Sequence, residues 1–171
     1  MGFALAAALS FHIGAGVGGA HTANQDYGSI EMPNTRPNGL VFSLEAQLEY
    51  GPAFLAPTLL LSNGFDGLQL TCASVRAGLF LLPTAVSPYV AAGGGWLREQ
   101  MLDSDEFPAL LAPNGGALLG EVGIAAFRDR KRGRASAFLQ VLQPLFSDPP
   151  YAFHGHPHVQ PAWIAGLRVL Y

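Results

Sequence analysis

The sequence predicts an all-β protein: an eight-stranded antiparallel up-and-down barrel that crosses a membrane. Three observations carry that expectation. Apolar residues recur at every second position in segment after segment. The connections between those segments alternate between short turns and long loops. The chain is also 50% hydrophobic and only 12% charged, about half the charged share of an ordinary soluble domain, so much of its apolar surface has no need of water.

The N-terminal segment shows the first pattern. Phe3, Leu5, Ala7, Leu9, Phe11, Ile13, Ala15 and Val17 fall on one face, and Ala4, Ala6, Ala8, Ser10, His12, Gly14, Gly16 and Gly18 on the other. A membrane helix needs about 18 uninterrupted apolar residues, whereas Ser10, His12 and the glycines break this run. No Lys or Arg precedes it, as a signal peptide would require. It therefore reads as a strand, with a signal peptide or a helix as the alternative; a strand here fits a chain that begins at its mature N-terminus.

The second segment alternates more sharply. Leu40, Phe42, Leu44, Ala46, Leu48 and Tyr50 oppose Gly39, Val41, Ser43, Glu45, Gln47 and Glu49. At the far end Trp163, Ala165, Leu167, Val169 and Tyr171 alternate with Ile164, Gly166, Arg168 and Leu170. Carried along the chain, the pattern predicts strands at 3–18, 39–50, 53–63, 68–82, 87–98, 116–128, 134–146 and 161–171. Most have the 9–11 residues or so that a tilted strand needs to cross a bilayer.

Tight turns are expected at Gly51-Pro52, around Pro83-Thr84, and from Asp129 to Gly133. Long connections follow strands one, five and seven, and a short one, Asn63 to Gly67, follows strand three. Short turns at one end, longer loops at the other and an even strand number describe a membrane barrel. Hydrocarbon offers no water to an unpaired strand edge, so the sheet must close. A soluble barrel would turn its apolar set inward. Here Glu45, Gln47 and Glu49 share a face, and the interior is where those groups belong. Residues 1–171 are expected to form this one domain.

Other classes are excluded by composition. The chain is too apolar for disorder, and a net charge of −3 gives no basic surface for nucleic acid. A single cysteine, Cys72, precludes an internal disulfide framework or a multi-cysteine zinc site. No cofactor is implied.

The closing strand carries the most specific motif. Gly166-x-x-Val169-x-Tyr171 resembles the C-terminal β-signal read by the barrel-assembly machinery, with Ile164 where that signal usually has a polar residue. The run Ser87-Pro88-Tyr89-Val90-Ala91-Ala92-Gly93-Gly94-Gly95-Trp96 resembles the fifth strand of many such barrels. On these residues the chain resembles the small eight-stranded outer-membrane β-barrel family, which includes the membrane domain of outer membrane protein A and the OmpW-like barrels. The resemblance implies a place in the bacterial outer membrane, contact with its lipid and lipopolysaccharide, handling by the assembly machinery, and a monomer with a periplasmic N-terminus. Because such barrels share fold far more than activity, the role expected is structural or surface-interacting rather than enzymatic.

Charges and aromatics suit that topology. Acidic residues fall mainly in the long connections, while Arg128, Arg130, Lys131, Arg132 and Arg134 cluster at one short turn, the place for a solvated turn or a collar on anionic headgroups. Phe3, Tyr50, Tyr89 and Tyr171 are expected in an interfacial girdle; Phe54 and Phe127 have inward parity. Glu45, Glu49, Arg76, Glu121, Gln140 and Arg168 also share the inward parity and are expected to neutralise one another as a polar plug. The alternative is a narrow pore or ligand conduit past Gly14, Gly16, Gly18 and Gly93 to Gly95.

Two constellations have catalytic or metal-binding character. If the residue numbers paired between strands one and two sum to about 57, His12 faces Glu45 with Ser10 beside it, a nucleophile–base–orienter set. Some members of the resembled family are lipid A deacylases that use a His-x-Ser pair and a Glu; here the order is Ser-x-His and the set points inward. His154, His156 and His158, at alternate positions of the last loop, have the spacing to share one Zn²⁺ or Cu²⁺, although no carboxylate or cysteine flanks them.

Overall fold

The computed structural model describes residues 9–22, 38–64, 68–101, 114–129, 133–145 and 161–171. They form eight strands: β1 (Leu9–Thr22), β2 (Asn38–Tyr50), β3 (Ala53–Gly64), β4 (Leu68–Phe80), β5 (Ser87–Met101), β6 (Asn114–Ala126), β7 (Arg134–Pro144) and β8 (Ala162–Leu170). Each pairs antiparallel with its neighbours, and β8 returns to β1 to close the barrel. At the seam, Ile13 and Tyr171 exchange backbone hydrogen bonds of 3.0 and 2.8 Å. The outermost ladder pairs of β8 are thus continued by the last residue of the chain.

The closed sheet is staggered. Following paired residues from Leu9 through Tyr50, Ala53, Leu79, Val90, Val122, Leu139 and Ala165 returns to β1 at Gly19, ten residues further on. Stagger of this kind tilts the strands and sets the bore. With eight strands the bore is filled by side chains, and glycine supplies the clearance. A Cβ on Gly93 would lie 2.7 Å from Arg76 Cα, and one on Gly18 3.0 Å from Gly166 Cα. Gly51 has φ +61° in the two-residue turn between β2 and β3, a left-handed conformation that glycine adopts without penalty.

The expected strands all form, with shifted ends. β1 runs on to Thr22 rather than ending at 18, because Gly18, Gly19 and Ala20 continue the wall beside β8; residues 3–8, and with them Phe3 and the expected start of the strand, lie outside the described residues. β6 ends at Ala126 rather than at 128 because Phe127 takes φ +61°. That backbone turn also reverses the expected inward side of Phe127, which is exposed.

The two faces are inverted relative to a soluble protein. Phe11, Leu44, Leu118 and Leu167 are each more than half exposed, whereas Glu45, Arg76, Glu121 and Arg168 are buried to within 4%. Polar side chains on the outer wall, among those described, are confined to the rims. His21, Thr71, Arg98, Asn114 and Gln143 stand at the long-loop end, and the Tyr50 and Tyr171 hydroxyls at the short-turn end. The apolar band between them is what a hydrocarbon-facing barrel requires.

The girdle needs two corrections. Tyr89 lies inside, only 3% exposed, because odd-numbered residues of β5 face the bore along with Ala91 and Leu97. Trp96 and Trp163, absent from the expected girdle, stand exposed on the outer wall toward the long-loop rim.

Candidate functional site

The polar interior is organised around four charges from alternate strands: Glu45 on β2, Arg76 on β4, Glu121 on β6 and Arg168 on β8. β1 and β5 contribute glycines at this level, Gly14 beside Glu45, Gly16 beside Arg168 and Gly93 beside Arg76. The glycines leave room in which four long side chains meet on the axis.

The charges alternate around a closed ring. Glu45 Oε2 lies 2.5 Å from Arg76 Nη2 and 2.8 Å from Arg168 Nε. Glu121 receives both terminal nitrogens of Arg168, Nη1 on Oε1 at 3.0 Å and Nη2 on Oε2 at 3.1 Å, and its Oε2 is 3.3 Å from Arg76 Nη1. Tyr89 donates its hydroxyl to Glu121 Oε1 at 2.8 Å, and Arg76 Nη1 donates to Thr58 Oγ1 at 3.3 Å. The Arg168 guanidinium also lies over the Phe138 ring, 4.1 Å from its centroid. Two positive and two negative charges cancel, so the ions tolerate a bore that excludes bulk water.

Neither family models nor curated proteins match this sequence. Solved structures do. Neisserial surface protein A aligns with a TM-score of 0.70 at 11% identity, over 95% of this chain and 97% of that one. Ail, the attachment invasion locus protein of Yersinia pestis, aligns at 0.53 and 13% identity over 94% and 97%. OprG from Pseudomonas aeruginosa, an outer membrane protein, aligns at 0.50 and 9% identity over 94% and 95%. The fold is that of the small outer-membrane β-barrels.

The short-turn mouth of the barrel holds the second group. Gln47 Nε2 donates to Glu49 Oε1 at 2.7 Å, and Glu49 is ion-paired with Arg134. Arg128 folds under the barrel: its guanidinium lies 3.7 Å from the Phe80 ring centroid, and its Nη1 donates to the Leu82 carbonyl at 3.0 Å. Its backbone N–H donates to Ala85 O at 3.0 Å, which ties the β6–β7 turn to the β4–β5 turn. Burial lowers the Arg128 pKa, opposed by the Glu49 charge and reinforced by Arg134. Above the mouth Phe54, Phe80 and Tyr89 form an aromatic cluster with centroids 5.0 to 5.9 Å apart.

The structure separates the expected Ser10, His12 and Glu45 set. Pairing between β1 and β2 follows a sum of 59, not 57, so His12 lies across from Gln47, Ser10 from Glu49 and Glu45 from Gly14. Ser10 Oγ and His12 Nε2 remain in contact at 3.3 Å, but Glu45 belongs to the ring. A long connection joins these two strands, so no turn sets their register.

Of the expected interior residues, Glu45, Arg76, Glu121 and Arg168 meet directly, Glu49 pairs at the mouth, and Gln140 is buried across the ladder from Glu121. Tyr89, Thr58, Arg128 and Arg134 join them unforeseen. Parity held the signal for Tyr89 and Arg134, which alternate in step with Ala91 and with Ser136. In the terminal motif Gly166 faces inward, where a Cβ would meet Phe138 Cζ at 2.8 Å, while Val169 and Tyr171 face outward. Ile164 is fully buried in the bore, which accounts for an apolar residue there. His154, His156 and His158 lie outside the described residues.

Proposed function

We propose that the chain is a non-conducting, non-enzymatic barrel that works at the outer-membrane surface, holding its long connections in contact with external partners. The four-charge ring carries this reading. Glu45, Arg76, Glu121 and Arg168 fill the middle of the bore with ion-paired side chains, and a plug of this kind leaves the loops as the variable, partner-facing part. The strands joined by residues 23–37, 102–113 and 146–160 all end at the rim opposite the short turns. On this reading the short turns, and the start of β1 at Leu9, face the periplasm.

Ail was solved with a heparin analogue, sucrose octasulfate, bound, and a surface role of that kind is in keeping with the architecture. Partners on this reading are outer-membrane lipid and lipopolysaccharide along the wall and the assembly machinery at the terminal strand, with the barrel itself a monomer. Single-channel recording in planar bilayers tests the plug. The expected record is silent, and stable nanosiemens-scale openings would overturn the proposal in favour of a pore.

The Ser10–His12 contact keeps a second reading open to experiment, a lipid-modifying enzyme with Glu49 in place of Glu45. Both side chains face the bore rather than the lipid, which weighs against it. Release of acyl chains from purified lipopolysaccharide, followed by mass spectrometry and lost in Ser10→Ala, would establish it.

A further inference from the structure

Between the central ring and the short-turn mouth lies a small vestibule. Arg76 and Arg168 form its ceiling, Arg128 and the Arg134–Glu49 pair its floor, and Phe54 and Tyr89 part of its wall. Four arginines around one space call for an account of their charge.

The inward-facing charges among the described residues do not balance. Glu45 and Glu121 are shared by Arg76 and Arg168, and Glu49 is paired with Arg134. Arg128 contacts an aromatic face and a backbone carbonyl, both neutral; the Glu49 charge reaches it too but is already paired with Arg134, and its neighbour Asp129 is exposed in the turn. Four cations thus stand against three carboxylates. Arg128 is partly exposed, but its Nε is shut off from solvent, and a cation in excess at that point favours an anion beside it.

Donors are also left over. The Nε–H groups of Arg76, Arg128 and Arg168 are buried and have no hydrogen-bond acceptor; Arg168 Nε is close to Glu45 Oε2 but does not point its hydrogen at it. All three residues line the vestibule. Buried donors without acceptors are rare and costly, about 1–3 kcal/mol each. A water molecule would accept from one or two of them but would leave the excess charge. A small anion answers both needs. The free space is on the order of one water molecule; a halide is somewhat larger and requires the arginine side chains to give slightly, whereas a phosphate or a sulfated sugar is far too large.

We propose that the vestibule is a binding site for one small inorganic anion of the chloride class, held by Arg128 together with Arg76 and Arg168. The anion completes the neutralisation of the barrel interior and braces the turn that carries Arg128 against the ring above. The site is independent of the surface role proposed for the loops.

The test uses the full chain folded in detergent and bromide as the probe. Crystals grown in sodium bromide and measured at the bromine absorption edge are expected to show an anomalous peak in the vestibule, beside Arg128 Nε. In solution, thermal stability is expected to rise with chloride and not with gluconate at equal ionic strength. Both effects are expected to vanish in Arg128→Gln while heat-modifiable gel migration persists. If Arg128→Gln does not fold, Arg128→Lys, which keeps the charge and removes the Nε–H, takes its place and is expected to weaken the peak. A vestibule without anomalous signal in bromide that labels other sites overturns the proposal, as do equal stabilities in the two salts or a peak unchanged in both variants.

Discussion

Arg168 grips Glu121 with both terminal nitrogens, at 3.0 and 3.1 Å, and does so in the centre of a bore where neither side chain is more than 2% exposed. The same arginine touches Glu45 through Nε at 2.8 Å. A single residue of the last strand therefore ties together carboxylates from β2 and β6. This is a long-range contact that forms only once the barrel is closed.

Removing that arginine is expected to be costly. Arg168→Met leaves Glu45 and Glu121 to share Arg76 and should lower stability by about 3–5 kcal/mol, the usual effect of breaking a buried pair from one side. The double variant Glu121→Gln/Arg168→Met removes one of the stranded charges and should be more stable than Arg168→Met alone. Urea unfolding of the barrel in lipid vesicles measures both, and additive losses would mean that the two side chains are not coupled.

The outer wall is expected to respond to depth. Leu44, at the middle of β2 and 61% exposed to the surroundings, should lose about 2–4 kcal/mol as Leu44→Arg if it faces mid-membrane hydrocarbon. Gln143→Arg, at the long-loop rim, should change stability by no more than about 1 kcal/mol. Equal costs at the two sites would count against the apolar band.

Glycines of the two faces should behave in opposite ways. A Cβ at Gly93 meets the β4 backbone, with Arg76 Cα at 2.7 Å, whereas one at Gly120 meets nothing within 4 Å. Gly93→Ala should therefore cost about 1–3 kcal/mol through overpacking. Gly120→Ala should be neutral or gain up to about 1 kcal/mol by restricting the unfolded chain. Thermal or urea unfolding of the pair distinguishes them directly.

The chain has only two tryptophans, and both Trp96 and Trp163 stand on the outer wall near the long-loop rim. Their fluorescence should shift to the blue on insertion into vesicles, as interfacial aromatics do. Lipids brominated close to the glycerol should quench it more strongly than lipids brominated near the chain ends. The reverse order would move the rim, and with it the depth assigned to every strand.

Much of this barrel was legible in one dimension because the side chains of a strand alternate with period two. That period sent Leu44 out and Glu45 in, identified eight segments, and placed Glu45, Glu49, Arg76, Glu121 and Arg168 in the bore before any pairing was known. It also held the information on Tyr89 and Arg134, whose neighbours two residues away share their side. Phe127 escaped it because a single positive φ interrupts the alternation.

Parity is silent about register. Sliding β1 by two residues against β2 leaves every side chain on its own face, so a sum of 57 and a sum of 59 bury the same residues at the same hydrophobic gain. Only closure of the sheet distinguishes them. The stagger that returns Leu9's ladder to Gly19 brings Glu45 to the level of Arg76 and Arg168 and leaves His12 with Ser10 at the mouth. The amino-acid sequence by itself determined which groups share the interior; the tertiary structure decided which of them touch, because that depends on distances around a ring that no single strand contains.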